Sequence, residues 1–267
     1  MGLVLLTALL LIPSQSTGHA KKHEISRPRD HKSASLLDRI TERGYILVGT
    51  TGDYKPFSYL NPATGAFEGI DIDMASELGK ALGVEVRFIQ TSWPKLTEDF
   101  KAGKFDIGMG GISISMERQK LFLYSIPCLK DGKTPITLKE NASRFQTIEQ
   151  IDKTGIKIIV NPGGTNEKFV RDKCKNATII VYNDNTTIFE QIIKRNADLM
   201  ITDAIEAVLQ QKLHPELSAV HPDQPFTYSE KSYLLPRDLI LKVFVDQWLH
   251  QSLMNGTYGK IFDKWVK

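Results

Sequence analysis

Two cysteines in 267 residues are too few for a disulfide framework. Cys128 and Cys174 fall in stretches that read as separate elements, and whether they pair stays open at this level. The six histidines are scattered and no Cys-x-x-Cys pair occurs, so no metal site is expected. An excess of one charge is also missing. The 34 Lys and Arg stand against 31 Asp and Glu, a formal charge of +3, which predicts neither a nucleic-acid partner nor a stable membrane partner. Residues 1–20 contain no Asp, Glu, Lys or Arg. Within them Leu3–Ile12 is an apolar run of signal-peptide length, too short to span a bilayer, and Gly18-His19-Ala20 offers a small-residue cleavage site. The positively charged start of such a peptide is lacking. Export is expected all the same, to the periplasm in a bacterium and to the exterior otherwise. Residues 1–20 then form a signal peptide and the basic, apolar-poor residues 21–35 a flexible leader. The sequons at Asn141, Asn176, Asn185 and Asn255 matter only in a eukaryotic secretory host.

What is present is an ordinary globular balance, 41% hydrophobic and 24% charged, enough for a large core and one or two domains. Strand-like and helix-like runs alternate. Tyr45–Gly49, Phe67–Ile72, Val84–Ile89, Phe105–Met109, Ile136–Leu138, Ile156–Val160, Thr178–Tyr182 and Leu199–Ile201 read as strands. Amphipathic helices are expected at Leu36–Arg43 before Gly44, Asp73–Leu82 before Gly83, Lys95–Lys101, from Thr165, at Asn185–Arg195, through Lys212 and at Leu239–Leu253. The alternation predicts an α/β protein with parallel sheets. The pattern runs to about Lys133, begins again at Thr134 and leads back after a second connection at Lys231–Leu235, so two lobes with a cleft are expected. Residues 36–133 and 234–267 would build one lobe and 134–233 the other.

Chemistry concentrates where strands hand over to loops or helices, the place where open α/β sheets bind ligands. The stretch Ala197–Ala207 passes from buried strand to helix at Thr202-Asp203, with Glu206 three residues on. Two acids at that spacing share a helical face, but Asp203-x-x-Glu206 also fits a capping box, and both readings stand. Thr50–Tyr59 is a polar loop carrying Tyr54 and Phe57, either facing ligand or packed on the core. Trp93 before Pro94 suits a pocket wall. In Gly110–Arg118 the glycines allow close backbone approach, Ser113 can hydrogen-bond, and Arg118 suits a carboxylate. Gly163-Gly164-Thr165-Asn166 opens a helix whose N–H groups and dipole favour an anion.

The order Gly52-Asp53-Tyr54-x-Pro56-Phe57, Gly69–Met74, Phe105–Ser113, Arg118 and Tyr124–Pro127 resembles the periplasmic solute-binding proteins for polar amino acids. Longer runs, Thr50–Tyr59, Thr91–Pro94, Asp131–Leu138, Asn161–Phe169 and Thr202–Ala207, resemble the cyclohexadienyl dehydratase family. The resemblance implies a two-lobed periplasmic-binding-protein-like (type II) fold with a ligand cleft between the lobes. It implies an exported, cofactor-free lyase that converts prephenate to phenylpyruvate and arogenate to phenylalanine. Glu206 would be its general acid, Arg118 with Ser113 and Gly111 one carboxylate anchor, and Thr165 with Asn166 another. Lys133 would reach either anion from the hinge, Tyr54 and Trp93 would flank the ring, and Asp203 would meet an α-ammonium group or cap its helix. The rival implication is a non-catalytic amino-acid-binding protein of a transport system. It uses the same Arg118 and Asp203 but has no need of Glu206.

Overall fold

The computed structural model describes Gly2 and residues 34–267. The expected signal peptide and most of the expected leader lie outside the described residues. Ser35, assigned to the leader from sequence, is instead the cap of the first helix, Leu36–Arg43. Its hydroxyl accepts from Asp38 N at 3.1 Å and Asp38 Oδ2 accepts from Ser35 N at 2.9 Å, and Gly44 in the left-handed region ends the helix.

Two five-stranded sheets organise the rest. In the first the order is Glu85–Gln90, Tyr45–Thr50, Ile107–Gly108, Leu234–Leu235, Leu123–Tyr124. In the second it is Thr178–Val181, Lys157–Val160, Leu199–Asp203, Lys133–Leu138, Leu217–Ala219. The sheets are mixed rather than parallel. Leu234–Leu235 runs against both neighbours in the first sheet, and Lys133–Leu138 runs against both in the second. The reason is topological. Each of these strands enters its sheet straight from a chain crossing, with no helix to bring it round parallel. The crossings are Leu129–Asp131 and Ser229–Lys231, which pair with each other as a small antiparallel ribbon.

Two further expectations are corrected. The strand read at Phe67–Ile72 is only Phe67–Glu68, and the helix begins at Ile70 rather than Asp73. Gly69, at φ 133°, turns the chain so that Ile70 N and Asp71 N donate to the carbonyls of Pro56 and Phe57. A Cβ there would lie 2.4 Å from the Phe57 oxygen, so only glycine makes the turn. The edge strand Leu217–Ala219 is not among the strands expected from sequence.

All five residues of Leu199–Asp203 are buried. Met200 enters the cluster with Ile136, Ile159 and Phe189 on one face, while Leu199 and Ile201 enter the cluster with Phe145, Val160 and Val170 on the other. This explains the uninterrupted apolar run and fixes where its polar end, Thr202-Asp203, emerges. Cys128 and Cys174 are free, each buried in a different core cluster.

Candidate active site

Lys133 and Asp203 are register partners on adjacent antiparallel strands. The Lys133 ammonium reaches Asp203 Oδ1 at 2.6 Å. On the other oxygen, Oδ2, Asp203 accepts from Lys231 Nζ at 2.5 Å and from the Tyr54 hydroxyl at 2.6 Å. Asp203 therefore does not cap its helix. It stands at the N-cap of Ala204–Leu213 without a side-chain cap bond, and the capping-box reading falls because two buried ammonium groups hold its carboxylate. The helix start is served otherwise: Ala204 N donates to the Gly132 carbonyl at 2.8 Å. Burial alone would raise the Asp203 pKa, but Lys133 and Lys231 overcome it and hold the carboxyl well below the usual range. Burial lowers the Lys133 pKa, against the pull of Asp203.

A second chain of bonds leads from Lys133 to Glu206. Lys133 Nζ donates to Thr165 Oγ1 at 2.9 Å and to Asn166 Oδ1. An ammonium cannot accept, so the Asn166 amide must turn its oxygen to Lys133 and its NH₂ to Thr202. Asn166 Nδ2 donates to Thr202 Oγ1 at 2.9 Å, and the Thr202 hydroxyl, having accepted, donates to Glu206 Oε2. Glu206 is 1% exposed, in the first turn of its helix, where side chains tilt back toward the N-terminus. Burial, and then the nearby Asp203 charge, outweigh the Thr202 bond and push its carboxyl up to about 8. It is a proton-holding acid at neutral pH.

The first lobe supplies rings, a glycine loop and an unpaired cation. Tyr54 stacks on Phe57 with centroids 5.5 Å apart and meets Trp93 edge-on at 5.6 Å, so the loop both packs on the core and faces the cleft. Trp93 Nε1 donates to Asp53 Oδ1 at 3.1 Å. Gly111, at φ 72°, lets the Tyr54 ring lie where a Cβ would come within 2.5 Å of it. Its N–H is taken by Asp71 Oδ2 at 2.6 Å and is not offered to the cleft. Arg118 is 9% exposed, in the short helix Met116–Gln119 behind the Ser115 cap. Among the described residues no carboxylate and no hydrogen-bond acceptor holds its guanidinium. A nearly buried cation without a partner, facing a cavity, is matched to an anion from outside the chain.

These side chains meet at a small cavity between the lobes. Tyr54, Trp93, Gly111, Ser113 and Arg118 line it from the first lobe and Thr165, Asn166 and Asp203 from the second. Lys133 lines the adjoining groove, which shares Ser113, Arg118 and Thr165 with the cavity. Glu206 lines neither and sits one layer behind, at Thr202. Lys231 and Asn161 escaped the sequence reading. Asn161 lines the cavity, and Lys231 Nζ bonds Asp203, Ser113 Oγ at 3.0 Å and Tyr54 OH at 3.1 Å. The available signal was a second lysine at the second chain crossing, mirroring Lys133 just after the first.

Two lobes joined by a two-strand crossing, with rings and cations converging on the cleft between them, define a ligand-clasping protein of the binding-protein type. The chain belongs to the bacterial extracellular solute-binding proteins, family 3, whose pattern matches residues 46–267. It is 56% identical over 233 residues to the cyclohexadienyl dehydratase of Pseudomonas aeruginosa, covering 87% of each chain. It is 27% identical to an L-cystine-binding protein of Escherichia coli, covering 86% of this chain and 85% of that one. Among solved structures, an ancestral amino-acid-binding protein described as a precursor of cyclohexadienyl dehydratase matches with a TM-score of 0.80 at 35% identity, over 88% of this chain and 100% of the other. An ancestral cyclohexadienyl dehydratase matches at 50% identity with a TM-score of 0.56, over 88% and 98%.

Proposed function

We propose that the cleft carries out the decarboxylating dehydration of prephenate to phenylpyruvate and of arogenate to phenylalanine, as a carbon–oxygen lyase acting by general-acid catalysis. The observation that carries this reading is Glu206, a buried carboxyl held protonated at neutral pH one turn beyond the cleft carboxylate Asp203. A protein that only clasps an amino acid has no use for such an acid. The 56% identity to a cyclohexadienyl dehydratase supports the same reading.

The substrate carries a carboxylate and a side chain on C1 of a cyclohexadiene ring and a hydroxyl on C4. The C1–carboxylate bond breaks to give carbon dioxide, its electron pair runs through the ring, and the C4–O bond breaks. Aromaticity drives the reaction, and the barrier is the expulsion of hydroxide. A proton from Glu206 lets water leave instead, a contribution of roughly 10²–10⁴-fold. The Thr202 hydroxyl donates to Oε2, which leaves Oε1 to carry that proton. Arg118 binds one substrate carboxylate, and Lys133 with Thr165 and Asn166 binds the other. Tyr54 and Trp93 flank the ring and exclude water, which keeps the acid desolvated.

The same reading places the protein outside the cytoplasm, in the periplasm if the host is bacterial. Its partner there is a small diffusible substrate. The experiment is to incubate the purified chain with prephenate and follow phenylpyruvate, with Glu206→Gln in parallel. Turnover by the wild type that is lost in a folded Glu206→Gln supports the lyase and its acid together. No turnover by a folded wild type that an amino acid stabilises against heat overturns the reading in favour of a binding protein.

A further inference from the structure

Asp203 is the one carboxylate among the residues lining the cavity, and hence the natural seat for an ammonium group on a ligand. That seat is already filled from within the chain. Lys231 Nζ lies 2.5 Å from Oδ2, Lys133 Nζ lies 2.6 Å from Oδ1, and the Tyr54 hydroxyl donates to Oδ2 as well.

Lys231 is held by its backbone on both sides. It ends the strand Ser229–Lys231, paired with Leu129–Asp131, and its backbone also bridges to Ser113. Ile114 N donates to the Glu230 carbonyl at 2.9 Å and Ser232 N to the Ile112 carbonyl at 3.0 Å, so two segments, 112–114 and 129–131, clamp its backbone. Its side chain is 1% exposed, and its three N–H donors are used on Asp203, Ser113 and Tyr54. Asp131 Oδ2 also lies 3.8 Å from Lys231 Nζ, but Asp131 does not line the cavity, and an incoming ammonium would face two ammonium groups already bonded to Asp203 and would have to displace one of them. A 2-oxo group brings no third cation. It needs only a donor, which the wall formed by Arg118, Thr165 and Asn166 can supply.

We propose that Lys231 is a tethered stand-in for a ligand ammonium group at Asp203, and that the cleft therefore takes 2-oxo acids in preference to their 2-amino counterparts. This inference rests on the dehydratase reading for its substrates, prephenate being the 2-oxo acid and arogenate the 2-amino acid. It does not rest on it for the binding preference itself.

The test compares kcat/KM for prephenate and arogenate, and heat stabilisation by phenylpyruvate and by phenylalanine. The wild type is expected to favour prephenate by about tenfold or more, since an ammonium must displace a lysine from Asp203. Phenylpyruvate, not phenylalanine, should raise the melting temperature. Lys231→Met keeps the aliphatic chain and removes the charge, and should move the ratio about tenfold toward arogenate, mainly through KM. Equal or reversed efficiencies in the wild type overturn the inference while leaving the dehydratase reading intact. So does an unchanged ratio in folded Lys231→Met. If neither substrate turns over yet phenylpyruvate alone stabilises the chain, the dehydratase reading fails and the preference stands. Should Lys231→Met not fold, the wild-type ratio and the two melting shifts decide.

Discussion

Lys133 and Asp203 face each other twice, as backbone register partners in the second sheet and as an ion pair 2.6 Å across. The pairing ties the first chain crossing to the strand end that carries the site. Lys231, from the second crossing, meets the other oxygen of the same carboxylate. One acid thus joins both crossings, and the geometry of the cleft depends on it.

Asp203→Asn should be far more damaging than the loss of one contact. It leaves two buried ammonium groups facing each other with only Asp131, whose Oδ2 lies 3.8 Å from Lys231 Nζ, as a counter-charge. Breaking a buried pair in this way costs about 3–5 kcal/mol. Urea unfolding should show that loss in the single variant. It should show much less in the triple variant that also carries Lys133→Met and Lys231→Met, because the triple variant removes the stranded charges too. Equal losses would mean that the carboxylate matters for packing rather than for charge.

Arg118 makes the opposite prediction. Its guanidinium has no partner among the described residues, so Arg118→Ala breaks no ion pair and should change stability by less than about 1 kcal/mol. Substrate KM should rise about tenfold or more, with a smaller change in kcat. Arg118→Lys should recover only part of this, since an ammonium cannot grip a carboxylate through two parallel bonds. An unchanged KM in Arg118→Ala would place the substrate carboxylate elsewhere.

Thr202, which the sequence places at the start of the helix, lies in the strand Leu199–Asp203 and is the group that orients Glu206. Thr202→Val keeps the shape and removes the donor to Oε2. That bond holds the Glu206 pKa down, so its removal should move the alkaline limb of the kcat profile to higher pH. At the same time kcat should fall, by about tenfold, because the carboxyl is no longer held in one orientation. A lower kcat with an unmoved alkaline limb would count against the Thr202–Glu206 bond.

Much of the cleft was legible because its residues sit at strand ends, where periodicity breaks and polar side chains follow an apolar run. Asp203, Glu206, Arg118 and the Gly111 loop all announce themselves this way. Lys231 did not, since its partners Asp203, Ser113 and Tyr54 lie 28, 118 and 177 residues away in sequence and its one mark is its place at the second chain crossing. The antiparallel strands were illegible for a related reason. Strand direction is set by how the chain enters a sheet, and a short run such as Leu234–Leu235 carries no directional signal. Nor does sequence spacing reveal that a carboxylate at a helix start will be claimed by lysines instead of by its own backbone.

The acid of the proposed mechanism should also leave its mark on stability. Glu206 rises from an ordinary 4.5 to about 8 in the folded chain, and Asp71, buried beneath the Gly111 loop, rises from 3.8 to about 6. Both folded-state values lie above the unfolded ones. Their stabilising contribution is therefore complete below the unfolded values and is lost as pH climbs through about 6 for Asp71 and about 8 for Glu206. Asp203 works in the other direction: its folded value is depressed, so its contribution is present above the unfolded value of 3.8 and lost only in acid. Between about 6 and about 8 the Glu206 effect is the dominant one of the three, with an expected slope of about 1.4 kcal/mol per pH unit. Urea unfolding across that interval should show stability falling in the wild type and nearly flat in Glu206→Gln. A wild-type curve as flat as the variant's would mean that Glu206 is ionised at neutral pH, and an ionised Glu206 cannot protonate a leaving hydroxide.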